Sequence, residues 1–337
     1  MSVALCYSRR MSVSTTEFDQ LTDPYRRELT AHCYRMIGSA HEAEDLVQET
    51  YLRAWRGYDR FEGRASLRTW LYKIATSACL TALEQRGRRP LPTGIGAPSD
   101  DPEHLGAPQH EVPWLQPFPD SVLEDDPENV ATSRESIRLA LIAALQYLPG
   151  KQRAVLILRD VLKWKAAEVA ELLDTTVAGV NSALQRARAR LDEIRPSEDD
   201  LISPLDSAKK ELLERYAAAF ERFDIDAITA LLAKDAVWEM PPFPDWFVGS
   251  EHIGRLISAN CPGAPGKERM VPTSANGQPA FALYMRDSEG VFRPFQIQVI
   301  SGFSWQDDEP KVSSVVTFFD LDLFETFGLP DQLPADR

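Results

Sequence analysis

The four cysteines, Cys6, Cys33, Cys79 and Cys261, are scattered, with no CxxC pair and no histidine spaced to complete a zinc site. A disulfide framework and the common metal folds are thereby excluded, and the thiols are expected to be reduced in a cytosolic protein. Long apolar runs are missing too. None approaches the roughly 18 to 20 residues of a membrane helix, and the apolar stretch near the N-terminus is too short for a signal peptide. A cytoplasmic location is expected, with residues 1–17 a flexible N-terminus and Met11 a candidate start. There is no Walker loop and no GxGxxG run, so no cofactor and no metal are expected. Residues 90–133 contain no Lys or Arg, against nine Asp or Glu and nine prolines.

What is present is ordinary globular composition, 44% hydrophobic over 337 residues, enough for two or three domains. The net charge of -14 is unevenly spread. Residues 1–89 carry +3 (14 basic, 11 acidic) and 134–197 carry +4 (11 basic, 7 acidic), whereas 198–337 carry -12 (12 basic, 24 acidic). Only the two basic segments suit a polyanionic partner.

In the second basic segment "KAAEVAELLD" has helical apolar spacing, "DTT" breaks it and "VAGVNSALQRARARL" resumes it. Val180, Leu184, Ala187 and Leu191 form one stripe that must pack inward. The opposite face presents Ala178, Ser182, Gln185 and Ala189, flanked by Asn181, Arg186, Arg188 and Arg190. Small hydrogen-bonding groups between arginines suit a helix in a major groove, with amides and hydroxyls reading base edges and guanidinium groups holding phosphates. Ala170 at the crossing, and Asp174 at a turn that wants positive φ, fit helix-turn-helix spacing. An amphipathic surface helix with a solvated arginine face is the other reading. Upstream, "SRESIRLALIAALQYLPGKQRAVLILRDVLK" supplies two further helices separated at Pro149 and Gly150, completing a four-helix unit.

The stretch "ALQYLPGKQRAVLILRDVLKWKAAEVAELLDTTVAGVNSALQRARARL" resembles region 4 of the sigma-70 superfamily. "AHEAEDLVQETYLRAWRGYDRFEGRASLRTWLYKIATSACL" resembles region 2, and both look like the extracytoplasmic-function group that keeps only these two regions. The resemblance implies that Asn181, Ser182, Gln185, Arg186 and Arg188 contact a minus-35 promoter element. In residues 41–58, Ala43, Leu46, Val47, Tyr51, Ala54, Trp55 and Tyr58 make an inward stripe, leaving Glu44, Asp45, Gln48, Glu49, Arg53 and Arg56 outside. The bare pattern shows a solvated charged face there; the resemblance implies that Asp45, Gln48 and Glu49 dock on the clamp helices of RNA polymerase. Next, "RFEGRAS" reads as a loop, with Ser66 capping the following helix. Arg64, Arg68, Trp70, Tyr72 and Lys73 mix cations with aromatic rings, a combination suited to an unstacked single strand. The resemblance makes that strand the melted minus-10 element, with core packing the alternative for Trp70 and Tyr72. Arg86, Arg88 and Arg89 form a basic end suited to phosphates. Ser77 stands where the family often has Asn, and Asn181 and Ala183 where it often has basic residues, so no promoter sequence is inferred.

Residues 90–133 are expected to form an extended acidic connector, which in a sigma factor threads the polymerase channel. Trp114, Leu115 and Phe118 in "VPWLQPFPD" are expected to dock on the C-terminal domain or polymerase, a disordered spacer being the alternative. From residue 197 onward, helical runs through "SEHIGRLISANC" precede strand-like runs through "KVSSVVTFFDLD", which points to an α+β domain built on one antiparallel sheet. This order, with "YAAAFERFDIDAITALLAKDAVWEMPP" and "SANGQPAFALYMRD", resembles the SnoaL-like branch of the NTF2-like fold, a cone with an internal pocket. Trp238, Met240, Phe281, Leu283 and Tyr284 are candidates for lining that pocket. His252, Glu239 and Asp287 make no compact acid-base set, so no enzymatic activity is expected.

The expected protein is multidomain: two all-α domains, sigma region 2 at 18–89 and sigma region 4 at 134–196, joined by the linker at 90–133 and followed by an α+β NTF2-like cone at 197–337. Its expected function is that of a sigma factor regulated by an acidic C-terminal domain. The expected partners are core RNA polymerase, promoter DNA, an intramolecular contact onto the sigma regions and an unknown small ligand. A helix-turn-helix regulator independent of polymerase, or a sensor or enzyme acting through the C-terminal pocket, stays open on sequence alone.

Overall fold

The computed structural model describes residues 15–122, 136–194 and 206–334. Residues 1–14 of the expected flexible N-terminus, connector residues 123–133 and residues 197–205 lie outside the described residues. Four helices build the N-terminal module: α1 (Thr15–Thr22), α2 (Arg26–Ile37), α3 (Ala40–Gly57) and α4 (Leu67–Gln85). Helix α1 takes in Thr15 to Glu17, expected to be flexible, because Phe18 is buried edge-on against the rings of Trp55 and Tyr58. The hydroxyls of Ser39 and Ser66 cap α3 and α4, accepting from the backbone N–H groups of Glu42 (3.2 Å) and Thr69 (3.1 Å). Helix α2 stops at Gly38, with φ of 76°. A Cβ there would lie 2.7 Å from Leu115 and 2.9 Å from Gln146, so glycine is needed both for the turn and for the close approach of the connector.

The second module contains α5 (Leu139–Leu145), α6 (Gly150–Leu156) with a π-helical continuation at Ile157–Val161, α7 (Ala166–Leu172) and α8 (Val177–Ile194). Asp174 adopts the positive φ expected of it, 52°. Val180, Leu184, Ala187 and Leu191 are all buried, as their spacing requires.

The C-terminal domain runs α9 (Ser207–Glu221), α10 (Ile225–Leu231), β1 (Leu232–Glu239), β2 (Trp246–Val248) and α11 (Ser250–Asn260). Then come β3 (Glu268–Ala275), β4 (Gln278–Arg286), β5 (Phe292–Gln306), β6 (Glu309–Phe318) and a short unanticipated α12 (Asp322–Thr326). The sheet order is β2-β1-β6-β5-β4-β3. The sheet is mixed and not wholly antiparallel as expected: β1 leaves α10 directly and runs parallel to β6, with Trp238 opposite Val315. Alternation along β4 sends Phe281 and Leu283 into the cone, where they join the cluster formed with α9 to α11. Ala280, Ala282 and Tyr284 point out and join one continuous apolar cluster with the helices of both N-terminal modules. The three expected domains therefore share a core.

Candidate promoter and polymerase interfaces

Burial of its apolar stripe fixes the roll of α8, and Asn181, Ser182, Gln185 and Arg186 all stand exposed on its outer side. Arg188 is exposed as well, but its guanidinium donates to both carboxylate oxygens of Asp160 (2.7 and 2.9 Å), and that pairing raises its pKa. On α3, Asp45 and Gln48 are exposed, while the half-exposed Glu49 accepts from Arg53 one turn on (2.6 Å). Trp55, expected inside, is 37% exposed. Its ring meets that of Phe18 in a T-shaped contact at 5.2 Å.

The minus-10 candidates separate into two groups. Arg64 and Lys73 are exposed, and Trp70 is half-buried with its ring stacked 4.8 Å from Phe61. Arg68 is held by Glu28 through two short hydrogen bonds, Nε to Oε1 at 2.9 Å and Nη2 to Oε2 at 2.6 Å. Tyr72 is fully buried and donates its hydroxyl to Glu28 (3.2 Å). It offers no ring face to a base, because it shares its side of α4 with buried Ala75 and Cys79, three and seven residues on. The basic end expected of Arg86, Arg88 and Arg89 is also engaged. Arg86 and Arg89 pair with Glu42, and Arg88 donates to the carbonyl of Gly94 (2.9 Å). A cleft of about 700 Å³ lies beside Arg64, Trp70 and Lys73, and its opposite wall is α7, with Glu168 and Glu171.

Where the three bodies meet, the β3–β4 turn is driven between the modules. Asn276, wholly buried with φ of 59°, donates its amide to the Tyr34 hydroxyl (2.7 Å) and the Ile137 carbonyl (2.6 Å) and accepts from Phe118 N–H (2.8 Å). Gly277 N–H donates to Asp120 (2.7 Å), and Leu139 N–H donates to Gln278 Oε1 (3.1 Å). Phe118 stacks on Tyr34 at 4.5 Å. The connector motif Trp114, Leu115 and Phe118 is thus buried, docked on the N-terminal module as well as on the C-terminal domain. Across the joint, Asp320 beyond β6 sits 3.6 Å from His41 at the start of α3 and accepts from the Gln116 amide (2.9 Å). Facing Asp320 raises the pKa of His41, with burial opposing.

Comparison with known proteins matches residues 21–89 to Sigma-70 region 2, 138–191 to Sigma-70, region 4 and 213–312 to the SnoaL-like domain. The ECF RNA polymerase sigma factor SigG of Mycobacterium tuberculosis is 54% identical over 321 residues, covering 94% of this chain and 85% of that relative. The chain belongs to the extracytoplasmic-function sigma-70 family. ECF sigma factor SigW of Bacillus subtilis is 32% identical over 174 residues, 52% of this chain and 86% of its own. The crystal structure of M. tuberculosis sigma factor SigJ, 23% identical, superposes with a TM-score of 0.56 over 94% of this chain and 100% of its own, so the three-part fold is shared. Sigma factors of this family are not enzymes, and their partners are core RNA polymerase and promoter DNA. No helix among the described residues is long and apolar enough to cross a membrane.

The SnoaL-like domain of this sigma factor holds a half-open cavity of about 330 Å³. Trp238 and Met240 line it, but Phe281, Leu283 and Tyr284 do not. Phe281 packs deeper, against Tyr216. Tyr284 lies on the other face of the sheet, its hydroxyl donating to the Pro330 carbonyl (2.8 Å). Sequence reasoning missed Phe220, Leu256 and Gln296, and also Leu105 and Pro108, which reach the cavity from the connector. Glu239 is buried and accepts from the connector N–H of Thr93 (2.8 Å), and burial raises its pKa. Asp287 shapes an exposed turn, and the His252 ring lies 3.0 Å from the Val248 carbonyl.

Proposed function

We propose that this sigma factor brings core RNA polymerase to promoters and that its C-terminal domain holds it off by clamping region 2 against region 4. Asp45, Gln48 and Glu49 dock on the polymerase. Asn181, Ser182, Gln185 and Arg186 read the minus-35 duplex, joined by Arg188 once it leaves Asp160. Arg64, Trp70 and Lys73 hold the melted minus-10 strand, with Arg68 available after release from Glu28. The C-terminal domain works by contact and not by catalysis.

One observation carries the clamp: the two DNA-binding modules touch. The Trp164 ring of region 4 lies 5.2 Å from the Tyr72 ring and 5.9 Å from the Arg68 guanidinium of region 2. Elements named minus-10 and minus-35 stand about 25 base pairs apart, about 85 Å of duplex at 34 Å per turn. Modules in contact cannot occupy both. Glu168 and Glu171 also line the cleft that would receive the minus-10 phosphates, and their negative charge repels DNA.

Transcription in vitro by core polymerase on a library of promoter fragments tests this, comparing the whole chain with one ending at Pro196. Promoter-specific transcripts from both forms, more abundant from the shortened one, are expected. No transcripts from either sinks the initiation role, and equal yields sink the clamp.

A further inference from the structure

The cavity in the C-terminal cone is walled on one side by the connector, and its chemistry is specific. Phe220, Trp238, Met240 and Leu256 supply a mostly apolar lining, His110 and Asn260 add polar groups at the connector side, and among the described residues no Asp, Glu, Lys or Arg lines it. A charged ligand would lose its hydration there with nothing in return. One polar group stands out. Gln296 is only 6% exposed and reaches the cavity from β5, and its side-chain amide has no hydrogen-bond partner among the described residues. The amide stands open to the cavity, where a ligand's polar atom can meet it. The volume is about twice that of a 150 Å³ apolar cavity that takes up benzene.

The connector forms one side of the mouth. Leu105 and Pro108 line the cavity, and the strand that carries them is fastened to the rim. Gly106 N–H donates to Asp245 (2.8 Å) and Gln109 N–H to the Pro242 carbonyl (2.8 Å), while the Asn260 amide donates to the Pro102 carbonyl (2.9 Å). The same connector runs on to Phe118 and the Asn276 turn at the module joint.

We propose that the cone and residues 105–110 together bind a neutral, flat, mostly apolar molecule of two fused rings carrying one hydroxyl or carbonyl group, met by Gln296, and that its occupancy pins the connector. A ligand that contacts the lid binds best when the lid is docked, so by linkage it favours the closed sigma factor. Only this coupling rests on the clamp proposed above; binding itself does not.

Titration of the full chain with 2-naphthol, read by the probe's own fluorescence, and with naphthalene as its hydroxyl-free counterpart tests the site. Saturable one-to-one binding of both is expected, with naphthol about tenfold tighter. Gln296→Leu should erase that ratio while still binding naphthalene. In transcription, 2-naphthol should lower the yield from the whole chain and leave Gln296→Leu unchanged at the same concentration. Absence of saturable binding, or a naphthol-to-naphthalene ratio that survives Gln296→Leu, overturns the site. Saturable binding with no effect on a whole chain whose yield does rise on shortening overturns the coupling alone. Because binding is read without polymerase, its failure is separate from a failure of the clamp.

Discussion

Replacing Asn276 tests the clamp at its tightest point. Its side chain makes three hydrogen bonds, to Tyr34, Ile137 and Phe118, and all three link the C-terminal domain to other parts of the chain. At about 1 kcal/mol net for each, their loss weakens closure by about 3 kcal/mol, or roughly 100-fold in the closing equilibrium. The left-handed φ of 59° belongs to the hairpin itself and is present whether the bodies are together or apart, so its strain cancels in that equilibrium. Asn276→Ala adds that strain to the hairpin, about 1 to 2 kcal/mol, and Asn276→Gly does not. Both variants should open alike, and only the alanine one should also destabilise the C-terminal domain. The assay is exchange at the Leu139 N–H, which the clamp protects through Gln278 and which Asn276 does not touch. It should exchange roughly 100-fold faster in both variants, with higher transcript yield. Exchange and yield at wild-type levels in both would refute the reasoning.

Four more outcomes are expected. Burial pushes the Glu268 pKa up to about 7 from an ordinary 4.5. The folded domain then holds a proton that the unfolded chain releases, so stability falls as pH rises through that window and is flat above it. Glu268→Gln should shrink the difference between pH 5 and pH 8 in urea unfolding. The raised pKa of His41 means that its contact with Asp320 supports closure when the ring is protonated, below the ordinary 6.5, and fades as pH rises through the raised value. Whole-chain yield should therefore climb with pH relative to the chain ending at Pro196, and Asp320→Asn should flatten the climb. Trp70→Ala should abolish permanganate-detected melting of the minus-10 region while Tyr72→Phe, which loses only the hydroxyl that meets Glu28, melts it normally; equal defects would put the Tyr72 hydroxyl at the DNA. Arg186→Ala should weaken promoter binding about equally across sequences and reduce the salt slope of log K by about 1.

Much of this architecture is legible in the residues. The stripe of Val180, Leu184, Ala187 and Leu191 set the roll of α8 and hence its exposed face. Ser66 and Asp174 marked a helix start and a turn through chemistry that needs no distant partner. What escaped depends on partners far along the chain. Periodicity identifies β1 as a strand but carries no sign of whether it runs with or against β6, some 70 residues later. "SANGQ" reads locally as a hairpin turn, and nothing in it tells that the Asn276 amide is shared by three bodies. Tyr72 looked like a base-stacking platform because aromatic residues beside cations also occur on buried helix faces. Strand alternation alone separates Phe281 from Tyr284, which stand three apart on β4 and face opposite ways.

The wedge at Asn276 also has a place in time. About 80 residues separate it from the end of region 4 at Ile194, so at 5 to 20 residues per second both DNA-binding modules leave the ribosome roughly 4 to 16 s before the turn that locks them together. The restraint is made after both modules it holds. Every newborn copy passes through an unlocked interval, and a message cut short anywhere between the two points yields a molecule that never leaves it.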